Sequence, residues 1–331
     1  MGGDIGADIV VPAALEYLKK DKETALILVG REEILRAKLG DHAHALGDRL
    51  RIQHASETVA MDELPSKALR NKKDSSMRVA IDLVKSDEAD ACVSAGNTGA
   101  LMATSRFVLK MLPNIDRPAI ITALPSITGQ TFMLDLGANV DCSAGHLFQF
   151  AVMGSETVAA VTDIAKPRIG LLNIGQEEIK GNEQVKGAHE LLLNSSLNYV
   201  GYVEGDDIYQ GGTDVIVSDG FVGNIALKSS EGVAKMIQHF MKLEFKKNIL
   251  TRLAGLIALP VLHGLRKRID HRHYNGASLL GLRGIVIKSH GGADKLAFMN
   301  AISIARKEVS SDVPRRIAEQ VKAHLDKRET A

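Results

Sequence analysis

Residues Ala91-Cys-Val-Ser-Ala-Gly-Asn-Thr-Gly-Ala100 carry the pattern that decides the fold. Residues 91–95 form a short apolar run, which predicts a buried strand, and a helical pattern follows from 98 to 112. The same succession of strand, glycine turn and helix appears earlier, at residues 25–30 and 32–39. Alternating strands and helices predict an α/β fold with a mostly parallel sheet and helices on both faces.

The rest of the chain extends this pattern to a single α/β unit of 331 residues, which two lobes could also build. Two apolar runs at 119–123 and 131–135 flank a glycine-containing turn and predict a hairpin. The other predicted elements are strands at 168–173, 214–218 and 285–288, helices at 144–161 and from 222 towards 245, and two closing helices.

Composition excludes several classes of protein. Hydrophobic residues make up 45% and charged residues 24%, which is ordinary for a globular chain. A net charge of +1 and the absence of Trp argue against a nucleic-acid partner. No apolar run reaches the roughly 20 residues that span a bilayer, and no secretory signal opens the chain, so we expect a soluble protein. Cys92 and Cys142 lack CxxC spacing, which indicates a reducing compartment and favours buried hydrophobes over nucleophiles.

Polar glycine-containing turns follow five of the predicted strands. Such turns at the carboxyl ends of strands are where open α/β sheets bind ligands, so we expect them to build a shared anion site. The alternative is structural punctuation by tight turns and helix caps. The five turns are SAGNTGA (94–100), DLGANVD (135–141), NIGQEEIKGN (173–182), DGFVGNIALK (219–228) and KSHGG (288–292).

The first turn is the predicted phosphate-binding element. Backbone N–H groups at a glycine-rich helix N-terminus bind anions, which selects Gly96, Asn97, Thr98 and Gly99. The simpler interpretation is that Asn97 or Thr98 only caps the helix. Because GxxxxGK[ST], GxGxxG after the first strand and GxSxG are absent, a P-loop ATPase, a Rossmann dehydrogenase and an α/β-hydrolase are not expected. His271 and His273 have no clear third ligand, so no metal site is expected.

Residues 246–272 are predicted to form an amphipathic helical insert. The segment from 249 to 265 is nearly all apolar and is interrupted by Pro260, with basic residues before and after it. It could be a buried helical hairpin or a subunit contact. It could also be an exposed apolar tip that enters the headgroup region of a membrane, with a basic rim that attracts anionic lipid or an acidic protein. The residues predicted to make these contacts are Leu253, Leu256, Ile257, Arg266, Lys267 and Arg268.

The chain resembles the bacterial phosphate acyltransferase (PlsX) family. The opening MGGD and seven further strings carry the resemblance, in order and at plausible spacing. These strings are RNKKDSSM (70–77), SAGNTGALM (94–102), DRPA (116–119), LDLGANVD (134–141), LLNIGQEEIKGN (171–182), DGFVGN (219–224) and YNGASLLGL (274–282).

The resemblance implies an enzyme of phospholipid synthesis that transfers a fatty acyl group from acyl carrier protein to inorganic phosphate. A membrane glycerol-3-phosphate acyltransferase then uses the acyl-phosphate. It further implies a cytoplasmic homodimer with peripheral membrane association, no metal or organic cofactor, and a fold similar to phosphate acetyltransferase and the isocitrate dehydrogenase group. The family pattern places a short strand and an Asp before MGGD, whereas this sequence starts at that Met. Loss of such a strand is expected to leave a gap in the sheet.

Attack of phosphate on a thioester requires a cradle for the dianion and donors for an oxyanion. Lys180 is the predicted cation, with Asn182 and Asn224 as uncharged donors and His290 as a proton shuttle. Asn139, Asp141 and Lys228 are predicted to lie at the thioester. Three alternatives are a phosphate acetyltransferase-like enzyme that uses acyl-coenzyme A, a decarboxylating dehydrogenase, and a catalytically silent membrane scaffold.

Overall fold

Strand β3 (Ala91–Ser94), which begins the quoted motif, lies at one edge of an eight-stranded sheet. The structure is a computed structural model that describes residues 1–42 and 46–329, without the side chains of 266, 267, 269, 271, 273 and 325–329. The other strands are β1 (Leu26–Gly30), β2 (Leu50–His54), β4 (Ala119–Ser126), β5 (Gly129–Leu134), β6 (Ile169–Leu172), β7 (Tyr199–Val203), β8 (Val215–Val217), β9 (Ala277–Leu280) and β10 (Ile285–Lys288).

Twelve helices surround the strands within the described ranges. They are α1 (Ala7–Lys20), α2 (Glu32–Leu39), α3 (Pro65–Asn71), α4 (Ser76–Lys85), α5 (Thr98–Leu109), α6 (Ala144–Val161), α7 (Glu183–Leu193), α8 (Asp207–Gln210), α9 (Gly220–Lys246), α10 (Ile249–Ile269), α11 (Lys295–Ser310) and α12 (Val313–Glu329). The predicted helix at 98–112 ends at Leu109 because Lys110 adopts a left-handed φ of 67°.

The eight strands follow the order β3-β10-β9-β4-β5-β8-β6-β7, and four of the seven neighbouring pairs are parallel. The predicted hairpin is confirmed, since β4 pairs antiparallel with β5. The sheet contains two strand directions: β3, β10 and β4 run one way, and β9, β5, β8, β6 and β7 run the other way. Strands of opposite direction have their carboxyl ends on opposite sides of the sheet. The five polar turns therefore do not all lie on one side. The turns after β3 and β10 lie at one edge, and those after β5, β6 and β8 at the other.

Helices cover both faces of this sheet, as predicted. On one face α6 begins with a capping box in which Ser143 Oγ accepts from His146 N–H over 3.2 Å. It packs so closely that a Cβ at Gly154 would lie 2.9 Å from Val215 Cγ1, and Phe150 is completely buried there. On the opposite face α9 packs Leu227 against the core that β4, β5 and β8 present.

Helix α9 starts directly on the loop that follows β5. Its N-cap Asp219 accepts a hydrogen bond from Val222 N–H over 2.8 Å. A Cβ at Gly220 would lie 2.6 Å from the carbonyl oxygen of Asn139, and one at Gly223 would overlap the carbonyl oxygen of Asp135. Glycine at these two positions therefore allows the helix to lie against the loop.

Strands β1 and β2 form a separate parallel pair. Between β1 and β3 lies a cavity of about 590 Å³ whose walls include Met1, Leu28, Val93 and Phe298. The two-stranded and eight-stranded sheets are thus separate, with this cavity between them.

The predicted insert forms the outer part of a helical hairpin made by α9 and α10. Pro260 does not divide the segment as expected, since α10 runs continuously through it. Leu253, Leu256 and Ile257 are 53%, 62% and 82% exposed, so they point away from the core. Arg268 is exposed too, and the side chains of Arg266 and Lys267 lie outside the described residues. None of the described helices is long and apolar enough to span a bilayer. What this surface contacts stays a prediction.

Substitution of Gly223 by Ala should destabilise the protein, because the new Cβ would overlap the Asp135 carbonyl and force α9 off the loop. Overpacking of this kind costs about 1–3 kcal/mol. Gly232→Ala on the same helix is the matched control, since nothing lies within 4 Å of its Cβ. That control should instead stabilise by up to about 1 kcal/mol. Urea unfolding followed by circular dichroism measures both, and equal stability of the two variants would contradict the proposed packing.

Candidate active site

The turns that follow β3 and β10 lie side by side. The two strands are parallel with Ser94 opposite Lys288, so the residues that follow each strand are neighbours. The N-terminal loop packs on these turns, where Asp4 N–H donates to the Gly291 carbonyl over 3.0 Å. We call Asp4, the 95–99 turn, Lys288 and His290 the β3–β10 cluster.

The side chain of Asn97 is fully engaged in holding the turn. Its Oδ1 caps α5 by accepting from Ala100 N–H over 2.9 Å. Its Nδ2 donates to two backbone carbonyls of the 61–63 loop over 2.8 and 2.9 Å. The capping interpretation is therefore correct for this side chain. The N–H groups of Thr98 and Gly99 lie in the first turn of α5, where helix geometry provides no intrahelical acceptor and anions commonly bind.

Gly96 and Gly99 both lie in close packing, against a flexible Met side chain and a rigid Pro ring respectively. A Cβ at Gly96 would lie 2.8 Å from Met77 Cε, and one at Gly99 would lie 2.9 Å from Pro65 Cγ. The Gly96 N–H also donates to Ser94 Oγ over 3.2 Å. Of the four predicted phosphate-binding residues, Thr98 and Gly99 thus keep free backbone donors.

Lys288 is a buried cation at the end of a buried strand. It is 9% exposed, and its Nζ lies 3.5 Å from the Ala95 carbonyl and donates to the Ser289 carbonyl. Burial, opposed by the charge of Asp4 and reinforced by that of Lys228, lowers the pKa of Lys288 to about 8. A lysine with this pKa beside a helix N-terminus is well suited to bind an anion.

His290 lies next to Lys288 with a defined tautomer. Its Nδ1 accepts from Gly292 N–H over 3.1 Å, so the neutral ring carries its proton on Nε2. Its backbone N–H donates to Asn275 Oδ1 over 2.9 Å. Burial, and then the charges of Lys288 and Lys228, lower the pKa of His290, so the ring is neutral at pH 7.

Asp135 organises the loop at the opposite edge of the sheet. It is completely buried and accepts from the backbone N–H groups of Ile120, Ala138 and Asn139 over 2.9, 3.1 and 2.7 Å. Burial raises the pKa of Asp135, and these donors oppose the shift. Asn139 Nδ2 donates to Asp135 over 2.9 Å and to the Pro118 carbonyl over 2.7 Å.

Two of the residues predicted to contact the thioester are therefore reassigned. An amide nitrogen has two hydrogens, and both hydrogens of Asn139 are used within the loop, so Asn139 has a structural role. Asp141 is an exposed carboxylate that adds negative charge and no donor when ionised, which removes it as an oxyanion partner.

Lys180 and Asn182 lie on the loop between β6 and α7. Asn173 Nδ2 folds this loop by donating to the carbonyls of Gly175 and Lys180 over 3.0 and 3.3 Å. Asn182 caps α7, with Oδ1 accepting from Val185 N–H over 2.9 Å, and its amide nitrogen is left unpaired in the described part of the chain. Lys180 is exposed and forms no ion pair with a carboxylate of the described residues.

Helix α9 connects the two edges. Asn224 is exposed and packs against the 135–139 loop, since a Cβ at Gly137 would lie 3.5 Å from Asn224 Cβ. One turn later Lys228 pairs with Glu231 at 2.9 Å and acts on the pKa values of the β3–β10 cluster. Four residues of helix span about 6 Å, so Asn224 and Lys228 lie on one short stretch between the two sets of turns.

The cysteines are not nucleophiles. Burial raises the pKa of Cys92 to about 12 and that of Cys142 to about 11, so both are thiols at pH 7. No group of three His, Cys, Asp or Glu side chains is placed to hold a metal among the residues whose side chains are described.

Lys288 is a candidate site residue that the sequence patterns do not single out. They place it only as the first residue of the KSHGG turn, and they favour Lys180, which stands beside Gly181. The available signal was a lysine that ends the apolar run Ile285-Val-Ile287, because a charge at the end of a buried strand is uncommon.

Sequence comparison finds relatives named phosphate acyltransferase. A family model described as "Fatty acid synthesis protein" matches residues 1–316. A phosphate acyltransferase from Methylococcus capsulatus is 67% identical over 321 residues, which cover 97% of this chain and 95% of that protein. One from Alkalilimnicola ehrlichii is 62% identical over 330 residues, covering 100% and 96%.

Two solved structures with a similar fold are a phosphotransacetylase and a branched-chain phosphotransacylase. A phosphotransacetylase from Streptococcus pyogenes matches with a TM-score of 0.61 and 21% identity, over 92% of this chain and 91% of that one. A branched-chain phosphotransacylase from Enterococcus faecalis matches with a TM-score of 0.56 and 12% identity, over 93% and 97%. These likenesses confirm the predicted fold class. The sequence matches show that the chain is an acyltransferase that belongs to the phosphate acyltransferase family.

Proposed function

We propose that this protein transfers a fatty acyl group from acyl carrier protein to inorganic phosphate and releases acyl-phosphate. The observation that carries the proposal is the buried Lys288 ammonium beside the unpaired N–H groups of Thr98 and Gly99. A dianion that enters this cluster meets one desolvated cation and a helix N-terminus. Lys228 adds a second positive charge at its rim.

The cluster orients phosphate without removing its nucleophilic lone pair. One phosphate oxygen attacks the thioester carbon, and the carbonyl oxygen becomes an oxyanion. When the tetrahedral intermediate collapses, the carbon–sulfur bond breaks and the carrier thiolate leaves. The neutral His290 ring can donate a hydrogen bond from Nε2 to this thiolate, which then takes a proton from solvent.

The other side of the site supplies donors for the thioester. The amide of Asn224 is unpaired in the described structure and lies one turn from Lys228. The unpaired amide hydrogens of Asn182 and the free ammonium of Lys180 lie on the neighbouring loop. In the proposed reaction these three side chains stabilise the oxyanion, as preorganised donors do in acyl transfer.

The donor carrier separates the proposal from its nearest rival, a phosphotransacetylase-like enzyme that uses acyl-coenzyme A. Purified protein should form acyl-phosphate, detected by mass spectrometry, from acyl carrier protein thioester plus phosphate. At equal concentrations the coenzyme A thioester should react more slowly. A preference for coenzyme A would establish the rival, and release of free fatty acid without acyl-phosphate would contradict both.

Substitution of Lys288 by Gln should raise the KM for phosphate by about 10–100-fold, because a hydrogen bond to a charged group contributes about 1.5–3 kcal/mol. In the wild type the ammonium is charged below pH about 8 and is lost above it, so the KM for phosphate should rise as the pH passes 8. This alkaline rise should be absent in Lys288→Gln. Steady-state kinetics between pH 6.5 and 9.5 measure both effects.

Two other lysines are the controls for this experiment. Lys85→Gln changes an exposed lysine at the end of α4 and should leave the KM for phosphate unchanged. Lys180→Ala should lower kcat with little change in that KM, since Lys180 is assigned to the oxyanion side. An unchanged KM in Lys288→Gln would remove Lys288 from the phosphate site.

We also propose that the exposed α9–α10 hairpin holds the protein at a membrane surface. Its apolar side chains lie beside basic residues, which suits the headgroup region of an anionic bilayer. The same basic rim suits the acidic surface of a carrier protein. A homodimer would place two hairpins together, and a surface position would pass acyl-phosphate to a membrane glycerol-3-phosphate acyltransferase.

The double substitution Leu253→Glu with Leu256→Glu should abolish binding to anionic liposomes in a flotation assay. Both side chains are more than half exposed, so folding should be retained. The matched control is Ile127→Glu with Leu193→Glu, which changes two exposed apolar residues away from the hairpin. If the hairpin double variant still floats with liposomes, the membrane proposal fails. If it becomes a monomer while the control keeps the wild-type mass, the hairpin is a subunit contact.

A further inference from the structure

A second cavity opens beside α9, at the edge of the sheet where Asn182 and Asp219 lie. It has a volume of about 580 Å³, within the usual range for small-molecule sites. Its walls come from β6, α6, α7, α8 and α9, around the carboxyl ends of β6 and β8. The apolar wall includes Leu147, Leu171, Val185, Ile208, Val222 and Ile225.

The cavity has one polar end. Asn182 and Asp219 line it, and both are helix N-caps at the ends of strands. Ser218 lines it as well, and this side chain is 4% exposed. Ser218 Oγ is buried without a hydrogen-bond partner in the described structure. A buried hydroxyl without a partner costs free energy, which a polar group of a bound ligand would offset.

The cavity extends from this polar end along α9. The helix presents Val222, Ile225 and Ser229 to it, and seven residues of helix span about 10 Å. The hydroxyl groups of Tyr209 and Ser230 hydrogen-bond to each other at the far end. Ile225 and Ile174, at the mouth, are 49% and 78% exposed, which is unfavourable for large aliphatic side chains that stay uncovered.

We infer that this cavity binds the aliphatic chain of the acyl donor, with the carbonyl end at Ser218 and Asn182 and the chain directed along α9 towards Ser229. The inference rests on the proposed function. An aliphatic chain fits because the lining is mostly apolar and the polar groups gather where the thioester would stand. The cavity also shares Asn182 with the oxyanion side of the site, so the carbonyl carbon and the chain occupy adjacent regions.

Chain-length dependence tests the inference. Each buried methylene contributes about 0.8 kcal/mol, so kcat/KM should rise about fourfold per methylene until the chain reaches Ser229, and then level off. Acyl carrier protein loaded with even-numbered chains of about 6–16 carbons gives this profile. Ser229 is exposed on its helix, so Ser229→Trp should fold normally and block the far end. It should move the plateau at least two carbons shorter and reduce kcat/KM for the longest chains about tenfold or more.

Two further variants complete the test. Lys235→Trp, on the same helix but outside the cavity lining, should keep the wild-type profile. Ser218→Ala should lower kcat/KM by a similar factor at every length, because it removes a contact to the carbonyl end only. If Ser229→Trp is inactive, calorimetry with n-alkylphosphonates of about 6–14 carbons gives the same comparison as binding constants.

The outcomes separate the inference from the proposed function. Formation of acyl-phosphate with identical length profiles in wild type and Ser229→Trp overturns the inference alone. A change in the preference between carrier protein and coenzyme A without a change in the length profile would assign the cavity to the thiol arm and also overturn it. If the wild type forms no acyl-phosphate at any chain length, the proposed function itself has failed.

Discussion

The contact between the first turn of α9 and the buried Asp135 loop fixes the geometry of the whole site. The Gly220 N–H donates to the Asn139 carbonyl over 2.8 Å, and no side chain separates helix from loop at positions 220 and 223. Asp135 holds its loop by accepting from backbone donors in an environment that disfavours its charge. Because a helix is stiff, a start fixed in this way also fixes the direction of every later residue of α9.

That direction matters because the sheet contains strands of both directions. In a fully parallel sheet the strand-end turns would meet at one edge without help. Here the antiparallel β9 and the β4–β5 hairpin place the turn after β3 and the turns after β6 and β8 at opposite edges. Helix α9 starts at one edge and carries Lys228 to the other. The proposed anion cradle and the proposed thioester donors are therefore joined by one helix rather than by the sheet.

Apolar patterning predicted seven of the ten strands that the structure describes, without β2, β7 and β9, and the site only in part. The strand at 285–288 and the helix at 144–161 match β10 and α6 residue for residue, since burial dictates their composition. Strand direction was not predictable, because an apolar run has the same composition whichever way it runs. The role of each Asn side chain was equally unpredictable. Asn97 and Asn139 both donate hydrogen bonds to backbone carbonyls, which depend on how the loops fold. The candidate ligand-binding groups are instead the hydrogen-bond donors that these contacts leave without a partner in the described structure.

The proposed phosphate site gives a physical reason for a buried lysine at position 288. Burial destabilises the ammonium, and the low pKa of Lys288 measures that cost. A phosphate dianion bound beside it reverses the balance, because an opposite charge favours the charged form of the lysine. Binding of phosphate therefore draws a proton onto Lys288 if it is neutral and holds it there. The same argument applies to His290, whose pKa Lys288 and Lys228 keep low until a dianion offsets their charges. The cluster is thus least stable when empty, which favours its occupation by an anion over that by water.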